Sequence, residues 1–267
     1  MTMERILITG AAGGLGQLCR KELKGWAKTM RVSDVADLGH AAPDEEIVQC
    51  DLGDLDAVTE MVADVDGIIH LGGKSIEGTF EEILNSNLRG TYHIFEASRR
   101  HGGKRIMFAS SNHAIGFHLR EHVLDGTSTQ RPDSIYGLSK CYGEDLARYY
   151  FDKFAVESVS VRIGSCFPKP KDRRMLATWL SPADFIDLMK CIFEADRVGA
   201  SMIYGVSNNR ETWWDNTHAS FLGWQPQDSS ESFRAEIEAN HPPPDWDDPA
   251  VRYQGGNFAK VGHFEDP

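Results

Sequence analysis

The chain has 267 residues, 41% hydrophobic and 25% charged, with a formal net charge of −12. That length suits one large α/β domain or a domain with an appendage, and the negative field disfavours a nucleic-acid partner. No run of about 18 apolar residues is present to span a bilayer, and the five scattered cysteines contain no C-x-x-C, supporting neither a disulfide framework nor a cysteine zinc site.

The start, Met1-Thr2-Met3-Glu4-Arg5, runs straight into an apolar strand without a signal-peptide segment, so the expected compartment is the cytoplasm. Strand 5–9 leads into Thr9-Gly10-Ala11-Ala12-Gly13-Gly14-Leu15-Gly16 and then a helix near 15–25. Strand, glycine-rich turn and helix in that order bring bare backbone against a pyrophosphate. Gly10 allows the turn, Gly13 removes a Cβ where the diphosphate approaches, and Gly16 lets helix and strand pack closely. Asp34 ends the next strand, 30–34, placed 24 residues after Gly10. A carboxylate there accepts bonds from both adenosine ribose hydroxyls and repels a 2′-phosphate, which favours NAD over NADP. Strand 46–49 is followed by Asp51-Leu52, suited to hold the adenine, and by a helix near 54–63. Strand 67–71 leads into Gly72-Gly73-Lys74-Ser75, whose small residues let a cofactor lie across the strand ends.

A helical pattern over 80–101 and a strand at 105–109 bring the chain to Ser110-Ser111-Asn112. The next helix, 136–154, carries Tyr136 and Lys140 one turn apart on one face. A phenol is a poor base at neutral pH, and an ammonium one turn away favours its ionised form. Ser111 is placed to hydrogen-bond the reacting oxygen. Strand 157–163 closes an alternation that implies a Rossmann-type doubly wound parallel sheet. The expected division is an NAD-binding core at 1–165 and a C-terminal segment at 166–267. Past Pro168 the rhythm changes to a helix at 183–195, a strand at 201–206 and a mostly irregular tail. Trp213, Trp214, Trp224 and Trp246 read there as packing residues. Lys171-Asp172-Arg173-Arg174 is a local cation cluster for an anionic small molecule. His118 and His122 lack an H-E-x-x-H and lie between glycines, so no zinc site is assigned; no G-x-S-x-G elbow marks a serine hydrolase.

The glycine loop, Ser111 and the Tyr136/Lys140 pair, with Asn87 in Asn87-Leu88-Arg89-Gly90-Thr91, resemble the extended branch of the short-chain dehydrogenase/reductase superfamily. Further segments are similar to the bacterial uronate dehydrogenases: Phe108–His113, Tyr136–Cys141, Val161–Cys166, Arg174-Met175-Leu176, Trp213–Asn216 and Pro242–Asp245. The resemblance implies oxidation of D-glucuronate and D-galacturonate at C1 with NAD, giving aldarolactones, and a small C-terminal substrate-binding extension on the Rossmann core. It places Gly14, Leu15, Leu71, Gly72, Asn87 and Ile163 with the residues above at the cofactor, together with Tyr136 and Lys140. It places Ser75, Ser111, Asn112, His113, Tyr136 and Ser165 around the sugar, and Arg174 on its C6 carboxylate. It also suggests a homo-oligomer. Two other readings stand beside this one. A sugar-nucleotide epimerase or dehydratase would use the same serine, tyrosine and lysine but retain its NAD, and it needs a longer C-terminal portion. A non-catalytic NAD sensor would not need the Tyr/Lys pair.

Overall fold

The computed structural model describes residues 3–266. Its strands and helices alternate through the first half: β1 (Met3–Thr9), α1 (Gly14–Glu22), β2 (Ala27–Asp34), β3 (Glu45–Gln49), α2 (Leu55–Val62) and β4 (Gly67–His70). There follow α3 (Phe80–Ile83), a π-helical turn (Leu84–Arg89), α4 (Gly90–Arg100), β5 (Arg105–Ser111) and α5 (Ile135–Phe154). Next come β6 (Ser158–Ile163), β7 (Ser165–Cys166), α6 (Met175–Thr178), β8 (Trp179–Leu180), α7 (Pro182–Glu194) and β9 (Ala200–Gly205). The tail carries 3₁₀ turns and two short helices, α8 (Arg234–Asn240) and α9 (Pro249–Arg252).

Seven strands form one sheet in the order β3-β2-β1-β4-β5-β6-β9, and β7 pairs with β8 separately. The pairings from β3 to β5 are parallel. The order reverses between β1 and β4, the switch point at whose carboxyl ends a doubly wound sheet opens a crevice. There Thr9 lies opposite His70, and their side chains bond at 2.8 Å.

The chain forms two compact units. One holds residues up to Ala109 with Tyr142–Ser160 and Asp196–Ser201; the other holds Ser110–Cys141, Val161–Ala195 and the residues from Met202 onward. The core of the first unit gathers Leu7, Val58, Met61, Ile68, Phe95, Ile106, Phe108 and Tyr150 from strands and helices alike. Full burial of each such side chain stabilises the fold by about 1.5–3 kcal/mol. In the second unit, Trp213 and Trp214 pack with Ile115, Leu124, Ala177 and Tyr204. Trp224 is buried too, whereas Trp246 is 62% exposed, so the packing expected of all four tryptophans holds for three.

The helix expected over 80–101 has a π-helical turn inside it, and the tail read as irregular contains α8. Among the described residues no helix is long and apolar enough to cross a membrane.

A cluster around the buried Glu96 ties α4 to α5 through the Tyr150 hydroxyl. Glu96 accepts from Arg99 at 2.8 Å, Arg100 at 3.0 Å and the Tyr150 hydroxyl at 3.1 Å. Arg99, first among these partners, helps hold its carboxyl down to about 2 from 4.5. A depressed carboxylate stabilises the fold above its ordinary pKa and loses that contribution as pH falls toward the folded value. The stability gap between wild type and Glu96→Gln is therefore expected to shrink between pH 4.5 and about 2. Urea midpoints of both proteins across that window check it, and a constant gap would refute it.

Candidate active site

The sequence-predicted residues fall into two sets, one in each unit. In the first, Gly10 turns with a φ of +70°, and a Cβ there would lie 2.7 Å from the Gly72 nitrogen. Gly16 lies so close to the turn that a Cβ would sit 2.2 Å from the Gly10 carbonyl oxygen. Gly13 and Gly14 differ. A Cβ on Gly13 would meet only the Gly10 oxygen, at 3.3 Å, and one on Gly14 would meet nothing within 4 Å. No protein neighbour therefore requires glycine at 14, and the helix that follows has no side-chain cap. Uncapped amides beside bare backbone suit a diphosphate.

Asp34 is held by the glycine loop and by its own turn: Oδ2 accepts from the Ala12 amide at 3.0 Å and Oδ1 from Ala36 at 3.1 Å. Its carboxylate is fixed beside the glycine loop, as adenosine ribose recognition requires. Asp51 is exposed and accepts from Gly53 at 2.8 Å, while Leu52 is buried. Asn87 lies in the π-helical turn and takes both backbone groups of Lys74, accepting at 2.7 Å and donating at 3.0 Å. It thus fixes the loop after β4 that carries Leu71, Gly72 and the exposed Ser75. These residues fit a bound NAD.

In the second unit, the end of β5 and the start of α5 converge. Ser111 accepts from the His113 amide at 3.2 Å and caps a short 3₁₀ helix. Ser134 accepts from the Gly137 amide at 2.9 Å, and a Cβ on Gly137 would lie 2.3 Å from the His113 carbonyl oxygen. That close approach seats α5 on the Ser111–His113 segment. Tyr136, 6% exposed, is hydrogen-bonded to Ser111, and the Lys140 Nζ lies 5.4 Å from its ring centre.

The electrostatics differ from the sequence expectation. Burial, with a contribution from Asp133, pushes the phenol up to about 12 despite the Ser111 bond. Burial also brings Lys140 down to about 8. Removal from water disfavours the charged form of a phenol and of an ammonium alike. The ammonium lies close by, but desolvation outweighs it.

Asn112, its amide turned to satisfy both neighbours, donates to the Ile163 carbonyl at 3.1 Å and accepts from Arg174 Nη2 at 2.5 Å. Arg174 also donates Nε to the Gln254 carbonyl at 2.8 Å and Nη1 to Ser165 at 3.4 Å, and Ser165 bonds Thr178 at 3.0 Å. Burial lowers its guanidinium from 12.5 to about 10, so it stays charged at neutral pH. Among the described residues no carboxylate forms an ion pair with it. The Asp172 and Asp133 carboxylates act on it only through space, so a half-buried cation bonded to neutral acceptors has the chemistry to take an anion. Of the neighbouring cations, Arg173 is spent on the carbonyls of Glu238, His241 and Pro242. His113 bonds Asp133 and stacks on Phe258. Asp133, Gln254 and Phe258 escaped the sequence reading. Only the Gly255-Gly256 pair beside Gln254 marks that stretch, and as an irregular tail.

The chain matches the NAD dependent epimerase/dehydratase family over residues 6–184. It is 54% identical to the uronate dehydrogenase of Pseudomonas putida over 261 residues, 97% of either chain. The crystal structure of glucuronic acid dehydrogenase from Chromohalobacter salexigens superposes with a TM-score of 0.98 at 54% identity, covering 99% of this chain and 100% of that one. The Y136A mutant of uronate dehydrogenase from Agrobacterium tumefaciens, complexed with NAD, superposes with a TM-score of 0.96 at 49% identity, covering 98% and 99%.

Proposed function

Because the chain belongs to the NAD dependent epimerase/dehydratase family and, within it, to the uronate dehydrogenases, we propose that it oxidises D-glucuronate or D-galacturonate at C1 to the aldarolactone, with NAD as oxidant. The observation that carries this reading is Arg174, a half-buried guanidinium with no carboxylate ion pair among the described residues, bonded to Asn112 next to Ser111 in sequence. Its planar fork matches the C6 carboxylate of a hexuronate.

NAD, when bound, supplies the hydride acceptor. Gly10 to Gly16 hold its diphosphate, Asp34 its adenosine ribose and Lys140 its nicotinamide ribose. Asp51, Leu52, Leu71, Gly72, Asn87 and Ile163 complete the cofactor contacts. Tyr136 takes the proton of the C1 hydroxyl, Ser111 orients that hydroxyl, and the Lys140 ammonium favours the phenolate that this step needs. Ser75, His113 and Ser165 bind the remaining sugar oxygens. The C1 carbon of a cyclic uronate carries a hemiacetal hydroxyl, so loss of hydride and proton gives a lactone directly.

The test is absorbance at the NADH band with purified protein, NAD, both uronates and the matching neutral hexoses. NADH release with uronates and not with glucose or galactose is expected. Equal rates on the neutral sugars would overturn the role of Arg174. NADH that forms but stays on the protein would instead favour an epimerase or dehydratase.

Asp34→Ala is expected to raise the KM for NAD about tenfold and narrow its preference over NADP, since the ribose bonds and the repulsion of a 2′-phosphate go together. Initial rates with both cofactors check this, and an unchanged KM for NAD would refute it. A homo-oligomer is part of the same proposal. Exposed aromatics on α4 and α5 (Tyr92, Tyr149 and Phe154) support it, and light scattering tests it.

A further inference from the structure

Asp133 takes no part in the steps above, yet its side chain has no exposed surface. It lies in the loop before α5, where its amide donates to the His113 carbonyl at 3.3 Å. The carboxylate accepts from His113 Nδ1, at 2.9 Å to Oδ2 and 3.2 Å to Oδ1, and Oδ1 also accepts from Ser134 at 3.0 Å. Two glycines enclose it. A Cβ on either Gly116 or Gly255 would lie 1.8 Å from Oδ2, so a side chain at either position would displace the carboxylate.

The imidazole is held on its other sides as well. It stacks on Phe258 with ring centres 3.9 Å apart and meets Tyr136 edge-on at 5.8 Å. A carboxylate only accepts, so the nitrogen facing it carries the proton, and in a neutral ring Nε2 is then the acceptor. Serine hydroxyls aside, His113 Nε2 is then an acceptor among the side chains placed around the sugar. Arg174 only donates, and both ends of the Asn112 amide are taken by Ile163 and Arg174. A sugar hydroxyl, which donates as well as accepts, suits that bare nitrogen.

We propose that Asp133 is a positioning residue for substrate binding: through Nδ1 it fixes His113 in the tautomer whose Nε2 accepts a hydrogen bond from a hydroxyl of the sugar acid. This rests on the uronate reading of the site, but the tautomer can be measured without any substrate.

The experiment labels the histidines of the full chain with ¹⁵N and assigns His113 by comparison with His113→Gln. The expected wild-type spectrum shows Nδ1 protonated and Nε2 bare, and Asp133→Asn, which keeps the volume, shows a mixed or reversed tautomer. The KM for glucuronate is expected to rise about tenfold in Asp133→Asn, with the KM for NAD unchanged. In a His113→Gln background, Asp133→Asn is expected to add nothing further. A wild-type ring protonated at Nε2, or at both nitrogens, would overturn the proposal. So would an unchanged KM for glucuronate or a full additional rise in the His113→Gln background. Should Asp133→Asn fail to fold, the wild-type spectrum still decides. Should no uronate be oxidised, the functional reading falls while the tautomer is still read directly.

Discussion

Replacing Tyr136 with phenylalanine is expected to lower kcat for uronate oxidation by at least about 10³-fold while leaving NAD binding intact. The substitution removes one oxygen from a buried ring and leaves the helix, the ring packing and the Lys140 side chain in place. What disappears is the group placed to take a proton, already bonded to Ser111. The wild-type rate has a further signature. Because burial holds the phenol up to about 12, little phenolate exists at neutral pH and kcat/KM for the uronate should climb with pH. The climb should flatten near pH 8, where Lys140 begins to lose the proton that favours the phenolate. Stopped-flow NADH formation and fluorescence titration with NAD separate chemistry from binding. Residual turnover within tenfold of wild type would remove Tyr136 from the role.

Arg174→Ala is expected to raise the KM for glucuronate about 100-fold, the loss of two charge-assisted hydrogen bonds at roughly 1.5 kcal/mol each. The cofactor should bind as before, since Asp34 and the glycine loop do not change. The guanidinium also holds neighbours in place, bonding the Gln254 carbonyl, Ser165 and Asn112. Arg174→Lys separates the two effects: it keeps a charge but lacks the fork, so an intermediate KM is expected. Equal losses for uronate and NAD in Arg174→Ala would show that a general disturbance, and not carboxylate recognition, explains the result.

Much of this architecture is legible in the sequence because its signals are local. The strand, glycine turn and helix from Arg5 to Glu22, and the one-turn spacing of Tyr136 and Lys140, are set by residues that are neighbours along the chain. The π-helical turn at Leu84–Arg89 is not, because the apolar spacing of 80–101 fits an uninterrupted helix equally well. Asp133 meets His113 from 20 residues away and Gln254 meets Arg174 from 80, and no periodicity announces either pairing. The sign of the Tyr136 shift escaped for a related reason. Spacing shows that an ammonium is close, but only the folded chain shows how completely both groups are removed from water.

The most direct measurement uses glucuronate carrying deuterium at C1, with NAD and the purified protein. The label should appear on the nicotinamide ring of the released NADH, with a lactone as the first product and a slowed initial rate. NADH without deuterium, or a product oxidised at another carbon, would contradict oxidation at C1 and with it the roles given to Ser111, Tyr136 and Lys140.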